Sequence, residues 1–263
     1  MSIDSFRGQV GHMASVAATS GFTGFEPETI MLSEAWDAAS LAASLRESKI
    51  DLAALCLVAE WRGDRETDSE VALANRVIEA LAAFPGTIIN LVQFPGADRE
   101  QLRDRQDHAL YCMRDIAVRA EASGVQCSFH PNSPRGSVFR TPDDYERLLD
   151  LLDPLIGFTP DTGHIAEGGM NPIEVIARYR SRIRHVHVKD RYQTGGWAPT
   201  GLGDIDIIGV VEGLVANEYD GWIVFEDESP LAKADPDKAV RSAGAWISSN
   251  LQSNPSWSKE SQH

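Results

Sequence analysis

Four short stretches in the second half of the chain each end an apolar run with a side chain able to bind a metal. They are Cys127-Ser-Phe-His130, Phe158-Thr-Pro-Asp161-Thr-Gly-His164, His185-Val-His187-Val-Lys-Asp190 and Val224-Phe-Glu226-Asp-Glu228. They follow one another at roughly 25 to 40 residues, the interval of successive βα units. One ligand-type residue at the end of each of four consecutive strands is what a divalent ion at the mouth of a parallel barrel requires. His130, Asp161, His187 and Glu226 are therefore the expected ligands. Two carboxylates and two imidazoles suit Mn²⁺, the first choice, or Co²⁺, Zn²⁺, Ni²⁺ or Fe²⁺ better than Mg²⁺. Each residue also has an ordinary alternative. Asp-Thr-Gly is common turn chemistry, and a buried histidine is commonly a satisfied hydrogen-bonding group. His185, two residues from His187 on the same face, is read in that second way.

These side chains need a scaffold of alternating strands and helices, and the pattern supplies one. Strands are expected at Gly21–Glu26, Leu52–Ala59, Thr87–Phe94, Gly124–His130, Ile156–Asp161, Ile183–Lys189 and Gly221–Glu226. Between them amphipathic stretches predict helices at Ser33–Glu47, Asp68–Ala83, Arg99–Ser123, Pro142–Asp153, Pro172–Ser181 and Ile205–Ala216, with a further helix at Ser5–Thr19 ahead of the first strand. Thr141-Pro142 and Asn171-Pro172 pair a capping residue with a proline at the first helical position. Gly21, Gly86 and Gly124 stand where a helix hands over to a strand. Strand after helix after strand implies a parallel sheet, either closed or doubly wound. No Gly-x-Gly-x-x-Gly opens the first helix, and the polar residues gather at the ends of many strands instead of at one crevice. The fold class expected is α/β, a TIM-type (β/α) barrel lacking an evident first strand. Residues 1–250 read as one catalytic domain and 251–263 as a polar, mobile tail.

Composition narrows the partners. The 263 residues carry 39 acidic and 24 basic side chains, a net charge of −15. That balance disfavours nucleic acid, whose binding needs clustered Lys and Arg, and offers nothing to an anionic membrane surface. No stretch of about 18 apolar residues could span a bilayer. The first residues lack the apolar core of a secretory signal, and the three separated cysteines suit reduced thiols, so a cytoplasmic location is expected. A small molecule is the expected partner. Trp61, Arg62, Arg191 and Trp197 are candidates to line its pocket, because aromatic faces and guanidinium groups suit sugars; ordinary loop roles remain open to all four.

His130-Pro-Asn, Asp161-Thr-Gly-His164 with Gly168-Gly-Met-Asn-Pro, Ile183-Arg-His-Val-His-Val-Lys-Asp190 and the final Phe-Glu226-Asp resemble the xylose-isomerase-like superfamily, in its sugar isomerase, epimerase and inosose-dehydratase branch. The resemblance runs from about Gly21 to about Glu226 and implies a (β/α)₈ barrel holding one divalent ion through its last four strands. Asp161, His187 and Glu226 match ligands. His164 matches a substrate-contacting histidine, and Lys189 and Asp190 fall where relatives contact substrate or orient other groups. There are two departures: His130 stands where isomerases and epimerases usually carry a glutamate, and the first strand is not evident.

The activity so implied is a carbohydrate one. A base, Glu226, removes the proton beside the carbonyl of a keto sugar or inosose, giving an enediolate stabilised by the ion. Loss of a β-oxygen with His164 or Lys189 as acid gives a lyase, the favoured outcome because His130 leaves a single ligand carboxylate to act as base. Isomerisation or epimerisation is the alternative. Two readings of other classes stand beside these: a non-catalytic barrel subunit, and an apurinic-endonuclease-type phosphodiesterase, which the negative charge disfavours. A barrel short of one strand should close by contact of its first and last strands, or be covered by a terminal segment, a second copy or a partner subunit.

Overall fold

The computed structural model describes residues 7–251. The polar tail from 252 onward, and any strand within the first six residues, lie outside the described residues.

A parallel wall begins with β1 (Gly24–Phe25), which pairs with β2 (Asp51–Leu52) and, through Glu28 opposite Cys56, with the start of β3 (Ala54–Ala59). Ala53 interrupts what is otherwise one strand. The wall continues through β4 (Ile88–Gln93), β5 (Gln126–His130) and β6 (Ile156–Phe158), each parallel to the last. Two single pairings, Phe158 with Ile183 and Asp161 with His187, join β6 to β7 (Val186–Arg191), and β7 pairs with β9 (Ile223–Glu226). The short β8 (Trp197–Ala198) is an antiparallel spur on β7. β2 and β3 share one wall position and β8 stands outside the wall, so the nine strands of the described residues make seven positions. Residues of β3 are buried along its whole length, as expected for a parallel strand covered on both faces.

Helices α1 (Val10–Thr19), α2 (Ala38–Ser48), α3 (Asp68–Leu81), α4 (Leu102–Glu121), α5 (Pro142–Leu151), α6 (Thr162–Glu167), α7 (Pro172–Tyr179), α8 (Ile207–Ala216), α9 (Pro230–Ala234) and α10 (Pro236–Asn250) surround the wall. The expected start signals hold: Thr141 forms a capping box with Asp144 ahead of Pro142, and Asn171 caps α7 ahead of Pro172. Gly21, Gly86 and Gly124 all adopt positive φ where a helix ends, a conformation cheap only for glycine. The spur β8 was not anticipated, nor were three α-helices, α6, α9 and α10. The last two begin with Ser229-Pro230 and Asp235-Pro236, the same cap-plus-proline signal, with both caps accepting a backbone N–H.

The expected interruption of the barrel falls between β9 and β1. Among the described residues no backbone ladder joins them. Instead the indole of Trp222 lies directly against Gly24, where an added Cβ would meet the ring at 2.5 Å. Outside this seam α1 packs on α2 and on α10, and the Ser20 carbonyl at the end of α1 rests on Gly244 of α10. The seam shows in the packing. β9 is only half-buried along its length, and the apolar core divides into a large cluster under α1–α5 and a smaller one around β7, α8 and α10. A Cβ on Gly244 would stand 2.0 Å from the Ser20 carbonyl oxygen, a backbone atom that cannot swing aside. Gly244→Ala is expected to force α10 off α1 and cost about 1–3 kcal/mol, read as a lower urea midpoint. An unchanged midpoint would mean that this helix pair does not hold the seam.

Candidate metal and substrate site

Strand alternation builds the site. Along β7 the side chains of His187 and Lys189 point inward, and the register sets Val224 beside His187 and Glu226 beside Lys189. β5 ends on His130, and the backbone then leaves β6 through Thr159-Pro160, so that Asp161 faces His187 at the same level. As a result one ligand atom from each of His130, Asp161, His187 and Glu226 lies within 4.8 Å of the others. His130 Nε2 is 3.4 Å from Asp161 Oδ2, and His187 Nδ1 is 3.2 Å from Glu226 Oε2. Asp161 is also the turn residue the sequence allowed for: its Oδ1 caps α6 by accepting the His164 N–H at 2.8 Å, leaving Oδ2 toward the cluster.

The charge balance of the buried groups is tight. Lys189 Nζ lies 3.6 Å from Asp161, 3.1 Å from Glu226 and 2.5 Å from Glu228. Burial, the largest influence, would favour the neutral carboxyl of Asp161 and Glu226, but the Lys189 ammonium and the neighbouring histidines together outweigh it and hold both well below the usual carboxylate range. Lys189 is itself held charged by the same three carboxylates against its burial. Burial opposes charge on His187 as well, yet Glu26 and Glu226 on its two sides raise it to about 10. His164 goes the other way: burial and the nearby ammonium push it down to about 3, so it is neutral. Lys189 has no acceptor to offer, so His164 Nε2, 3.1 Å away, accepts from the ammonium, and Nδ1–H donates to Ser133 Oγ at 2.7 Å. Trp197 closes the group, edge-on to His164 and under the Lys189 ammonium.

The residues fit a divalent ion. The four ligands offer two carboxylates and two imidazoles at bonding spacing, and the buried Nδ1 of His130 has no partner among the described residues. Such an ion would be held by His130, Asp161, His187 and Glu226.

A cavity of about 820 Å³ opens above this cluster and runs along the seam, walled by His130, His164, Trp197, Glu28 and Glu226 and, at its far end, by the apolar Val16, Phe22 and Val240. Lys189, 1% exposed, lies beneath this wall, and four further substrate candidates do not reach the cavity. Trp61, read as a sugar-facing residue, is fully buried in the main core: Glu70 accepts the Glu60 and Trp61 N–H groups and turns the backbone inward, with Trp61 at φ 46°. Arg62 donates to the Phe94 and Pro95 carbonyls. Arg191 is paired with Glu167 at 2.6 Å. Asp190, expected at the substrate, spends its carboxylate on the N–H groups of Arg191, Gly201, Gly203 and Ile205 and so fixes the loop after β8. Sequence reasoning missed Glu26, Glu28 and Glu228. Glu28 faces the cavity, and burial with the nearby Glu226 charge raises its carboxyl to about 7.

Among the described residues a seven-position parallel wall, with polar side chains clustered at its C-terminal mouth, is the architecture of a TIM barrel. The chain belongs to the xylose isomerase-like TIM-barrel family, whose model matches residues 14–250. It is 32% identical over 143 residues to the inosose dehydratase of Geobacillus kaustophilus, covering 47% of this chain and 46% of that enzyme. It is also 32% identical over 143 residues to the inosose dehydratase of Clostridium tetani, with 47% of each covered. The chain thus matches about half the length of these curated relatives. In fold it resembles an L-ribulose 3-epimerase (TM-score 0.73, 19% identity, 93% of this chain and 89% of that one). The 3-keto-D-glucoside 4-epimerase of E. coli is similar in fold (0.71, 21%, 93% and 95%).

Glu28 gives a test of this electrostatic picture. Its carboxyl is higher in the folded protein than in the unfolded chain, so its contribution to stability is fully present below about pH 4.5 and lost as pH rises through 7. In metal-free protein, wild type should lose about 1.4 kcal/mol per pH unit relative to Glu28→Gln across that window, and nothing further above it. Parallel urea unfolding at pH 5, 6 and 8 reads the difference; a constant offset would place Glu28 in water.

Proposed function

We propose that this protein is a divalent-metal-dependent enzyme acting on a keto sugar or inosose, removing the proton beside the carbonyl and eliminating a β-oxygen as water. The observation that carries the reading is the adjacency of Glu226, the ionised cluster carboxylate that lines the cavity, to a charged lysine and a neutral histidine at the mouth of one barrel. The similarity to inosose dehydratases supports the same outcome. When bound, the ion supplies Lewis acidity toward the substrate carbonyl. Glu226 is the base: it is ionised, and its position at the cavity wall puts it within reach of a bound carbohydrate. Lys189 and His164 form the acid side. Lys189 carries the proton, Glu228 holds its ammonium toward the mouth, and neutral His164, which accepts from that ammonium and stands on the cavity wall, is the relay between it and the leaving oxygen.

A second reading, epimerisation, has one observation in its favour. Glu28 is another carboxylate on the cavity wall, and near neutral pH it is part protonated. It could serve as the second acid or base that His130, in the usual place of a glutamate, does not provide.

The two are separated by incubating Mn²⁺-loaded protein with a panel of keto sugars and inososes in D₂O. Exchange of the proton beside the carbonyl, read by NMR, is expected for both; loss of a hydroxyl carbon signal marks elimination, and an inverted carbon marks epimerisation. No exchange with any of them would sink the enzyme reading. Glu226→Gln should reduce exchange by about 10²–10⁴-fold, since an amide cannot act as base. His164→Ala should reduce turnover while retaining the ion; loss of the ion would make His164 a ligand.

A further inference from the structure

The strongest side-chain cluster beyond the four ligands lies one layer deeper in the barrel, around Glu26. This carboxylate projects from the end of β1 and is almost wholly enclosed, with 2% of its side chain exposed. Its two oxygens serve different partners. Oε1 accepts from Asn90 Nδ2 at 2.9 Å and from the Cys56 thiol at 2.8 Å, both from strands next along the wall. Oε2 meets His185 Nε2 at 2.5 Å and His187 Nε2 at 3.0 Å. His187 is therefore gripped at both ring nitrogens: Nε2 by Glu26 below, and Nδ1 toward Glu226 and the ligand cluster above.

We propose that Glu26 is the positioning residue of the metal site: it accepts the Nε2–H of His187, fixes the ring, and leaves the Nδ1 lone pair to the ion. The proposal rests on the reading that the four-residue cluster holds a divalent ion. The chemistry follows from the donors. An ion bound at Nδ1 takes the place of the second proton of His187; the ring then has one N–H, and because a carboxylate can only accept, contact with Glu26 commits that proton to Nε2. A carboxylate behind a ligating histidine also makes the opposite nitrogen a better donor. Rotation of the ring would exchange these contacts, and Asn90, Cys56 and His185 prevent it by holding Glu26 from three sides. His185, expected from the sequence to be an ordinary hydrogen-bonding histidine, thereby acts as a clamp on Glu26.

A competing assignment uses the same atoms. Glu26, His185 and His187 also lie close enough to hold an ion of their own. The geometry favours the hydrogen-bonded arrangement. The Glu26 oxygens already meet four side chains, and the 2.5 Å contact to His185 is too short to admit an ion between the two atoms.

The experiment is metal titration of the full chain, wild type against Glu26→Gln and Glu26→Ala, with Zn²⁺ and with Mn²⁺ in competition with a chelator. Wild type should bind one ion per chain. Both variants should still bind one, with affinity about 10–100-fold weaker and the larger loss in Glu26→Ala. Glu26→Gln preserves shape and guards against a variant that fails to fold, which circular dichroism checks. Long-range ¹H–¹⁵N spectra of histidine-labelled, Zn²⁺-loaded protein supply a signature that a merely structural role would not move. His187 should appear as a single Nε2–H tautomer in wild type and lose that pattern in Glu26→Ala. Unchanged affinity and tautomer in both variants would overturn the proposal while leaving the metal site standing. Two ions in wild type falling to one in Glu26→Ala would replace it with a second metal site. No ion in wild type would remove the metal reading itself, and this inference with it.

Discussion

Three basic side chains, His185, His187 and Lys189, stand in a row on the inward face of one strand, and the barrel can bury them only because carboxylates from other strands meet each one. Glu26 comes from the end of β1, Asp161 from the end of β6, and Glu226 and Glu228 from β9 and the turn beyond it. Burying an unpaired ion costs several kcal/mol, and removing one partner of a buried pair typically costs about 3–5 kcal/mol. The arrangement is therefore mutual: β7 cannot hold its place between β6 and β9 without its acidic neighbours, nor they without it. The same constraint that makes the interior foldable gathers the charge from which a metal and proton-transfer site can be made.

The seam between β9 and β1 bears on that site directly. Closing a barrel needs strand tilt and stagger to return the last ladder to the first. Here seven wall positions leave the two ends joined by side chains, Trp222 on Gly24 and Glu26 on the two histidines, with α1 against α10 outside. Glu26 thus has two roles, tying β1 to β7 across the interior and steadying a ligand. The opening also extends the cavity past the polar mouth to an apolar end between α1 and α10, giving it more length than a single sugar ring occupies.

Much of this could be read from the chain because strands impose a period of two and βα units a spacing. His130, Asp161, His187 and Glu226 were legible as strand-end residues in register, and the structure does bring them together. β1 was expected as well, at Gly21–Glu26, but its terminal Glu26 was not singled out. Glu26 and Glu28 lie where only two residues have regular strand pairing, and the partners of Glu26 at His185 and His187 are 159 and 161 residues away in sequence. Nothing local marks a contact at that distance. Trp61 and Arg191 failed for a different reason. Residue type suggested sugar contact, but Glu70 and Glu167, each on a neighbouring helix, draw these residues elsewhere. Aromatic and guanidinium groups next to a strand end are informative only once the acids able to capture them are placed. α10 was legible in principle, since Asp235-Pro236 repeats the start signal used for α5 and α7.

The choice between elimination and epimerisation turns on how many proton-transfer groups the cavity wall offers, and on which face of the substrate each one stands. With His130 among the ligands, the cluster itself supplies one carboxylate base, and its nearest companions, Lys189 and His164, lie on the same side, bonded to it or to one another. A base with an acid beside it suits removal of a proton and a neighbouring oxygen from one face. Inverting a carbon instead requires a second group across the ring, and Glu28, carried by the opposite edge of the seam with its carboxyl raised to about 7, is the wall residue whose chemistry answers that need. The seam therefore sets more than the shape of the cavity. By separating β1 from β9 it sets how Glu28 and Glu226 stand toward each other across the cavity, and in the proposed reaction that separation would select between the two products.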